Sequence, residues 1–317
     1  MRNTARRGEL KVSVPVMAGA ISVLIIIAII CTSALVEKLH SKNNNDITPT
    51  DVSSSVVQSE SSLVSASGDT SSILENSVVE SKPTSSTTAS STATKPFTPQ
   101  GGTTPTDASA KICYLTFDDG PSNNTLKILD ILKRYNVKAT FFVIGTGKLE
   151  YTKRMVAEGH TVALHSNTHT YSSIYKSTSA YYSDLQAISD KVEKACGVRS
   201  NIVRFPGGTS NTTSRSYCSG IMTKLSKELP EKGYYYFDWN IDSGDASGNN
   251  VAVSKIMSNI RSYGTSRKNA VVLMHDTGAK GTTVDALPQI IEYYMSAGYY
   301  FAPLSSSSEP IRHSPNN

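Results

Sequence analysis

The chain has 317 residues, of which 38% are hydrophobic and 18% are charged. This length and composition exclude a collagen-like chain, a wholly disordered chain and a small disulfide-rich protein. The net charge of +5 is mild and argues against a dedicated nucleic-acid-binding protein, so no nucleic-acid partner is expected. Because the apolar residues are unevenly spread, roughly 200 residues remain for one folded domain with a sizeable core.

The N-terminal part of the chain predicts a membrane anchor. Residues 1–11 are basic, and residues 12–36 contain no charged side chain. A helix of about 25 residues exceeds the roughly 30 Å hydrocarbon core of a bilayer, and basic flanks stay in the cytoplasm. We therefore expect a single-pass protein of the cell membrane with its remaining chain outside the cell. A cleaved signal peptide is the alternative, because small residues at 32–34 would suit cleavage.

Two further segments predict disorder. Residues 37–110 are rich in Ser and Thr, and such a segment buries too little apolar area to offset the entropy lost on ordering. They predict a flexible linker. The last residues, 305–317, predict a disordered tail, which leaves 111–304 as the folded domain.

Strands and helices alternate within this domain. Apolar and β-branched runs predict about seven strands, at 112–117, 139–144, 161–165, 201–205, 234–241, 270–275 and 299–302. Apolar residues at helical spacing predict helices at 125–135, 150–159, 181–196, 221–232, 251–263 and 287–297. This alternation is typical of an α/β fold with a parallel sheet, either open or closed as a barrel. Functional sites in such folds lie at the C-terminal ends of the strands.

Polar residues follow the first and third predicted strands. Asp118 and Asp119 are adjacent carboxylates, which both stay ionised only beside a cation or hydrogen-bond donors. A helix-capping turn is the alternative interpretation. His165 and His169 have the spacing of two ligands of one zinc ion, and Asp119 would complete a catalytic site with a position open for water. Two surface histidines are the alternative interpretation.

Other strand ends carry further candidates. Arg204 precedes Gly207 and Gly208, where glycines would let a substrate approach backbone N–H groups, or where the chain simply turns. His275 and Asp276 form a titratable pair at the end of a strongly apolar strand. A buried structural histidine is the alternative there.

Five segments, in this order, resemble the motifs of the polysaccharide deacetylases, the NodB-homology domains of carbohydrate esterase family 4. They are 116–120, 165–169, 204–208, 242–245 and 273–276. The resemblance covers about 111–304 and implies a distorted (β/α) barrel. It also implies one divalent metal ion, zinc by preference with cobalt, manganese or nickel as alternatives, bound by Asp119, His165 and His169.

The same resemblance implies roles for the remaining residues. Asp118 corresponds to the general base and His275 to the general acid. Arg204 corresponds to the residue that orients the base, and Asp245 to the partner of the acid. Three residues are expected near the substrate and its oxyanion: Gly207, Leu273 and Trp239.

Two positions depart from the family pattern. Ala246 stands where a tryptophan usually lines the acetyl pocket, and Gly207 stands where an aromatic residue is common. Both changes predict a wider pocket. Trp239 either supplies a wall of this pocket or belongs to the core.

These observations predict a membrane-anchored, metal-dependent deacetylase acting on peptidoglycan, which would release acetate and leave a free amino sugar. The substrate follows from location, because an outward-facing domain on a tether has the cell wall as its nearest acetylated polymer. An O-acetyl esterase acting on a xylan-like polysaccharide and a catalytically inactive wall-binding module are the alternatives. An extracellular position also predicts a disulfide between Cys196 and Cys218.

Overall fold

The computed structural model describes residues 96–98, 100, 107 and 109–316. In this part of the chain strands and helices alternate. The strands are β1 (Lys111–Asp118), β2 (Thr140–Ile144), β3 (Thr161–Ser166), β4 (Ile202–Val203), β5 (Tyr235–Tyr236), β6 (Ile241–Asp242), β7 (Asn269–His275) and β8 (Tyr299–Phe301). The helices are α1 (Asn123–Arg134), α2 (Thr152–Ala157), α3 (Tyr171–Ile174), α4 (Thr178–Cys196), α5 (Ile221–Glu231), α6 (Val253–Ser262) and α7 (Gly281–Ser296).

The strands form one parallel sheet in the order β5-β4-β3-β2-β1-β7-β6. β1 pairs with β7 from Ile112 opposite Asn269 to Asp118 opposite His275. Along the other edge of β1, the first three residues pair with β8 and the last three pair with β2. The register therefore brings the polar ends of β1 and β7 side by side.

The predicted strand at 234–241 is two short strands at opposite ends of the sheet. β5 pairs with β4, whereas β6 pairs with β7. Residues 237–240 cross from one end strand to the other, and we call this segment the crossing. Asn240 fixes its far end, since its side chain accepts from Val271 N (2.8 Å) and donates to Asn269 O (2.8 Å). The sheet is a curled half-barrel, which fits the expected distorted barrel.

Alternate residues of β1 face opposite sides of the sheet, as strand geometry requires. Leu115 and Phe117 belong to the large core between sheet and helices. Tyr114 belongs to a second, smaller cluster on the other face, inside the curl. Asp118 has the parity of Tyr114 and Thr116, so its side chain points into the curl rather than toward the helices.

The end of the predicted linker packs against the domain. Phe97 contacts Tyr234 edge-on, with 5.1 Å between ring centroids, and Thr98 N donates to Arg199 O (2.9 Å). The domain therefore begins before 111. The predicted anchor at 12–36 and most of the predicted linker lie outside the described residues. Within the described part, no helix is both long and apolar enough to cross a bilayer.

The prediction of a disordered tail at 305–317 is wrong for the described residues, 305–316. The tail lies across the crossing: Asp238 N donates to Ile311 O, and His313 N donates to Asp238 Oδ2, both at 2.8 Å. His313 Nε2 donates to Trp239 O (2.6 Å), and its ring packs edge-on against the indole at 4.9 Å. The composition of the segment did not reveal this, because hydrogen bonds and a ring contact with residues distant in the sequence hold the segment, and not the burial of its own apolar side chains.

The expected disulfide between Cys196 and Cys218 is not formed. Cys113, Cys196 and Cys218, the cysteines among the described residues, are all free. The Cys196 thiol donates to Val192 O one turn back along α4 (3.3 Å), and the Cys218 thiol contacts Ser219 O (3.9 Å). Each sulfur therefore has a backbone carbonyl within four residues as its partner, and both side chains pack against the main core.

We expect replacement of His313 by Ala to destabilise the domain, because the bonds to Ser210 and Trp239 and the ring contact are lost together. A decrease of about 1–3 kcal/mol in the free energy of unfolding is expected. Urea denaturation measures it, with Asn316→Ala in the exposed part of the same tail as the control. Equal midpoints for both variants would show that the tail does not support the crossing.

Candidate active site

Asp118 and Arg204 form a buried ion pair at the carboxyl ends of β1 and β4. Arg204 Nη1 donates to Asp118 Oδ1 (2.8 Å), and neither side chain is appreciably exposed. The guanidinium also donates to Thr116 Oγ1 (2.8 Å), Phe237 O (2.9 Å) and Asp238 O (2.9 Å). Arg204 thus fixes the orientation of the Asp118 carboxylate and ties the crossing to the middle of the sheet.

Asp119 lies between two imidazoles. Its Oδ1 is 3.4 Å from His165 Nε2 and 3.2 Å from His169 Nε2. Nδ1 of His165 donates to the carbonyl of Arg204 (2.8 Å), so this tautomer leaves the Nε2 lone pair free to face Asp119. The sheet therefore gathers the three predicted metal ligands, whose ligand atoms all lie within 4.8 Å of one another.

The chemistry of this cluster fits a divalent metal ion. Asp119 Oδ1 is buried and has no hydrogen bond of acceptable geometry within the described residues. Buried polar atoms are nearly always satisfied, and two imidazole nitrogens with one carboxylate oxygen are ligands that zinc accepts. Burial lowers the pKa of His169, which favours the neutral, metal-binding form. Burial would also lower the pKa of His165, but Asp118 and Asp119 raise it. Burial raises the pKa of Asp119, but its three histidine neighbours lower it well below the usual value.

His275 lies across the cavity at the end of β7. Its Nδ1 donates to Asp245 Oδ1 (2.8 Å), and its backbone N–H donates to Asp245 Oδ2 (2.8 Å). Thr283 also donates to Asp245 Oδ2 (2.8 Å). Burial by itself would lower the pKa of His275, but the hydrogen bond and charge of Asp245, with the other nearby carboxylates, raise it to about 9. The imidazolium is therefore held in a fixed orientation with Nε2 left free.

The reactive groups line one cavity of about 310 Å³, and the predicted pocket residues Gly207, Trp239 and Leu273 line it as well. Trp239 is therefore a wall of the pocket. Tyr171 lines the cavity too, although sequence reasoning missed it. A Cβ built on Gly207 would lie 2.4 Å from Tyr171 Oη, so this hydroxyl fills the space beside the glycine. The widening expected from Gly207 is offset by Tyr171, whereas Ala246 borders the cavity as a small side chain.

Two further carboxylates lie near the site: Asp184, which sequence reasoning missed, and Asp276, which the sequence analysis named with His275 as a titratable pair. Asp184 on α4 holds the loop between His165 and His169. Asp276 lies beneath the loop after β1: its Oδ2 accepts from Thr125 Oγ1 (2.5 Å), and its N–H donates to Asp118 O (2.8 Å). Burial raises the pKa of Asp276 to about 7. For Asp184, no local pattern in the sequence could reveal a partner on another element.

Comparisons with known proteins identify the family of this chain. The model of the polysaccharide deacetylase family matches residues 106–221. A peptidoglycan-N-acetylglucosamine deacetylase of Bacillus cereus is 33% identical over 198 residues, which cover 60% of this chain and 68% of that protein.

Solved structures of the same family are similar to this fold. The catalytic domain of a peptidoglycan N-acetylglucosamine deacetylase from Eubacterium rectale is 42% identical, with a TM-score of 0.63, and the match covers 67% of this chain and 96% of that one. A polysaccharide deacetylase from Bacillus cereus is 32% identical, with a TM-score of 0.56 and coverage of 64% and 96%. The resemblance seen in the five sequence motifs is thus confirmed, and the chain belongs to the polysaccharide deacetylase family, the NodB-homology domains of carbohydrate esterase family 4.

Proposed function

We propose that this protein hydrolyses the N-acetyl groups of peptidoglycan N-acetylglucosamine, releasing acetate and leaving a free amino sugar. The observation that carries the proposal is the placement of Asp118 and His275 in one cavity with the cluster of Asp119, His165 and His169. A base and an acid beside a metal site suit hydrolysis of an amide. The peptidoglycan deacetylases among the relatives support this glycan as the substrate.

Asp119, His165 and His169 would hold one divalent metal ion, zinc in preference to cobalt, manganese or nickel. When bound, such an ion lowers the pKa of a water molecule and polarises a carbonyl oxygen. The protein then has to place a base and an acid around the acetamide and to shelter the developing negative charge.

Asp118 is the proposed base. Arg204 occupies its Oδ1, and its Oδ2, which is 4.0 Å from His165 Nε2, is left to take the proton of the attacking water. The water oxygen bonds to the acetyl carbon, and the N–H of Gly207 is proposed to donate to the resulting oxyanion. His275 gives its Nε2 proton to the sugar nitrogen as the carbon–nitrogen bond breaks. Asp245 keeps the imidazole oriented throughout.

We propose that the domain lies outside the cell, on a single membrane anchor at residues 12–36. The support is the charge-free run that follows a basic segment. Protease added to intact cells is expected to remove the domain while a tag placed before Met1 stays protected. A mature protein that begins near Leu35 would instead show a cleaved signal peptide.

The purified protein is expected to release acetate from peptidoglycan. A chelator is expected to abolish the release, and added zinc to restore it, because the proposed metal ion would activate the water and polarise the acetyl carbonyl. Acetylated xylan serves as the comparison substrate. Release from xylan alone would favour an O-acetyl esterase, and release from neither substrate by the zinc-loaded protein would favour a wall-binding module.

Four variants separate the proposed roles. Asp118→Asn and His275→Ala are expected to keep the metal and to lose about 10²–10⁴-fold in turnover, the usual contribution of a positioned base or acid. Asp119→Asn and His165→Ala are expected to lose metal as well as turnover. Metal content of the purified proteins and acetate release measure the two effects separately. Loss of metal from Asp118→Asn with retention by Asp119→Asn would reverse the assignment of the two carboxylates.

A further inference from the structure

The loop between the two metal-binding histidines is held from outside by one carboxylate on α4. Asp184 Oδ2 accepts from Ser166 Oγ (2.6 Å) and Asn167 N (2.7 Å). Its Oδ1 accepts from Thr168 N (3.0 Å) and Thr168 Oγ1 (2.9 Å). Every residue between His165 and His169 thus donates to this side chain, and both of its oxygens are occupied by the loop.

The contact extends to His169 itself. Ser166 Oγ, which donates to Asp184, accepts a hydrogen bond from His169 N (2.8 Å). His169 has a φ of 54°, in the left-handed region that few residues other than glycine adopt. Such a conformation persists only where the surrounding structure enforces it. At the His169 backbone, the hydrogen bonds from His169 N to Ser166 Oγ and from Ser166 Oγ to Asp184 enforce this conformation.

The helix that carries Asp184 is capped and well packed. α4 begins after Ser177, whose side chain accepts from Ala180 N and caps the helix. Tyr181, Leu185 and Ile188 on the same helix are buried in the main core. The carboxylate therefore projects from a packed element rather than from a loop.

We infer that Asp184 is a positioning residue of the metal centre, fixing His169 relative to His165 and Asp119. The inference rests on the metal site proposed above. Asp184 touches neither the ion's ligand atoms nor the substrate cavity, so it acts through the loop alone. Substitution of a residue that orients metal ligands without binding the ion typically lowers metal affinity by about 10–100-fold.

The test uses Asp184→Asn in the full-length protein. An amide in this position keeps one acceptor oxygen, but in either orientation its NH₂ group faces a backbone donor and leaves Asn167 N or Thr168 N without an acceptor. The zinc dissociation constant, measured by competition with a chromophoric chelator, is expected to rise about 10–100-fold. The absorption spectrum of the cobalt-loaded protein is expected to change as well, because that spectrum reports the ligand geometry.

Asp190→Asn is the matched control. Asp190 lies on the same helix and is exposed, and it accepts from Gln186 within that helix (2.6 Å). The substitution removes the same charge without touching the loop, so unchanged zinc affinity and an unchanged cobalt spectrum are expected. Equal losses in both variants would overturn the inference in favour of a general effect of charge.

The remaining outcomes also discriminate. Zinc affinity and a cobalt spectrum that stay at wild-type values in Asp184→Asn would overturn the inference while leaving the metal site intact. Failure of the wild-type protein to bind zinc would overturn both the metal site and this inference. If Asp184→Asn does not fold, Asp184→Glu replaces it: the longer side chain keeps the charge but displaces the loop, and unchanged affinity there would equally overturn the inference.

Discussion

The domain depends most on the hydrogen bonds of the buried Arg204 guanidinium. A buried charged group is tolerated only when its N–H groups find acceptors. Here the acceptors come from Thr116, Asp118, Phe237 and Asp238. The carbonyl of the same residue accepts from His165. One side chain and its backbone thus join the first strand, the proposed metal ligand His165 and the crossing. The same side chain therefore holds the crossing and orients the proposed base, Asp118.

The register of the parallel strands brings the proposed catalytic residues together. Because Asp118 is paired with His275 across β1 and β7, the proposed base and acid come from neighbouring strand ends and need no flexible loop to meet. Strand alternation then sends Asp118 into the curl while its neighbour Phe117 packs under the helices. The crossing brings Trp239 to the same cavity, and the C-terminal tail holds it there through His313.

The acidic residues around the site differ in function because their partners differ. Asp119 has a buried oxygen that no donor among the described residues satisfies, which suits its proposed role as a metal ligand. Asp245 is saturated by His275 and Thr283, and Asp184 by the loop that it supports. Asp276 has only hydroxyl donors beneath the loop after β1, and burial raises its pKa. The four residues are all aspartates, so their surroundings, and not the residue type, give them different proposed roles.

The sequence by itself determined the alternation of strands and helices and the strand ends at which polar residues gather, because apolar periodicity and short motifs are local properties of the chain. It therefore predicted the parallel sheet and placed Asp119, His165 and His169 together. Only the tertiary structure decided that 234–241 divides between the two end strands of the sheet, that the tail packs over the crossing, and that Cys196 and Cys218 are free thiols. The positions of Asp184 and Tyr171 beside the site were also revealed only by the tertiary structure. Their partners lie on other elements, and such contacts depend on how the whole chain packs rather than on any short pattern within it.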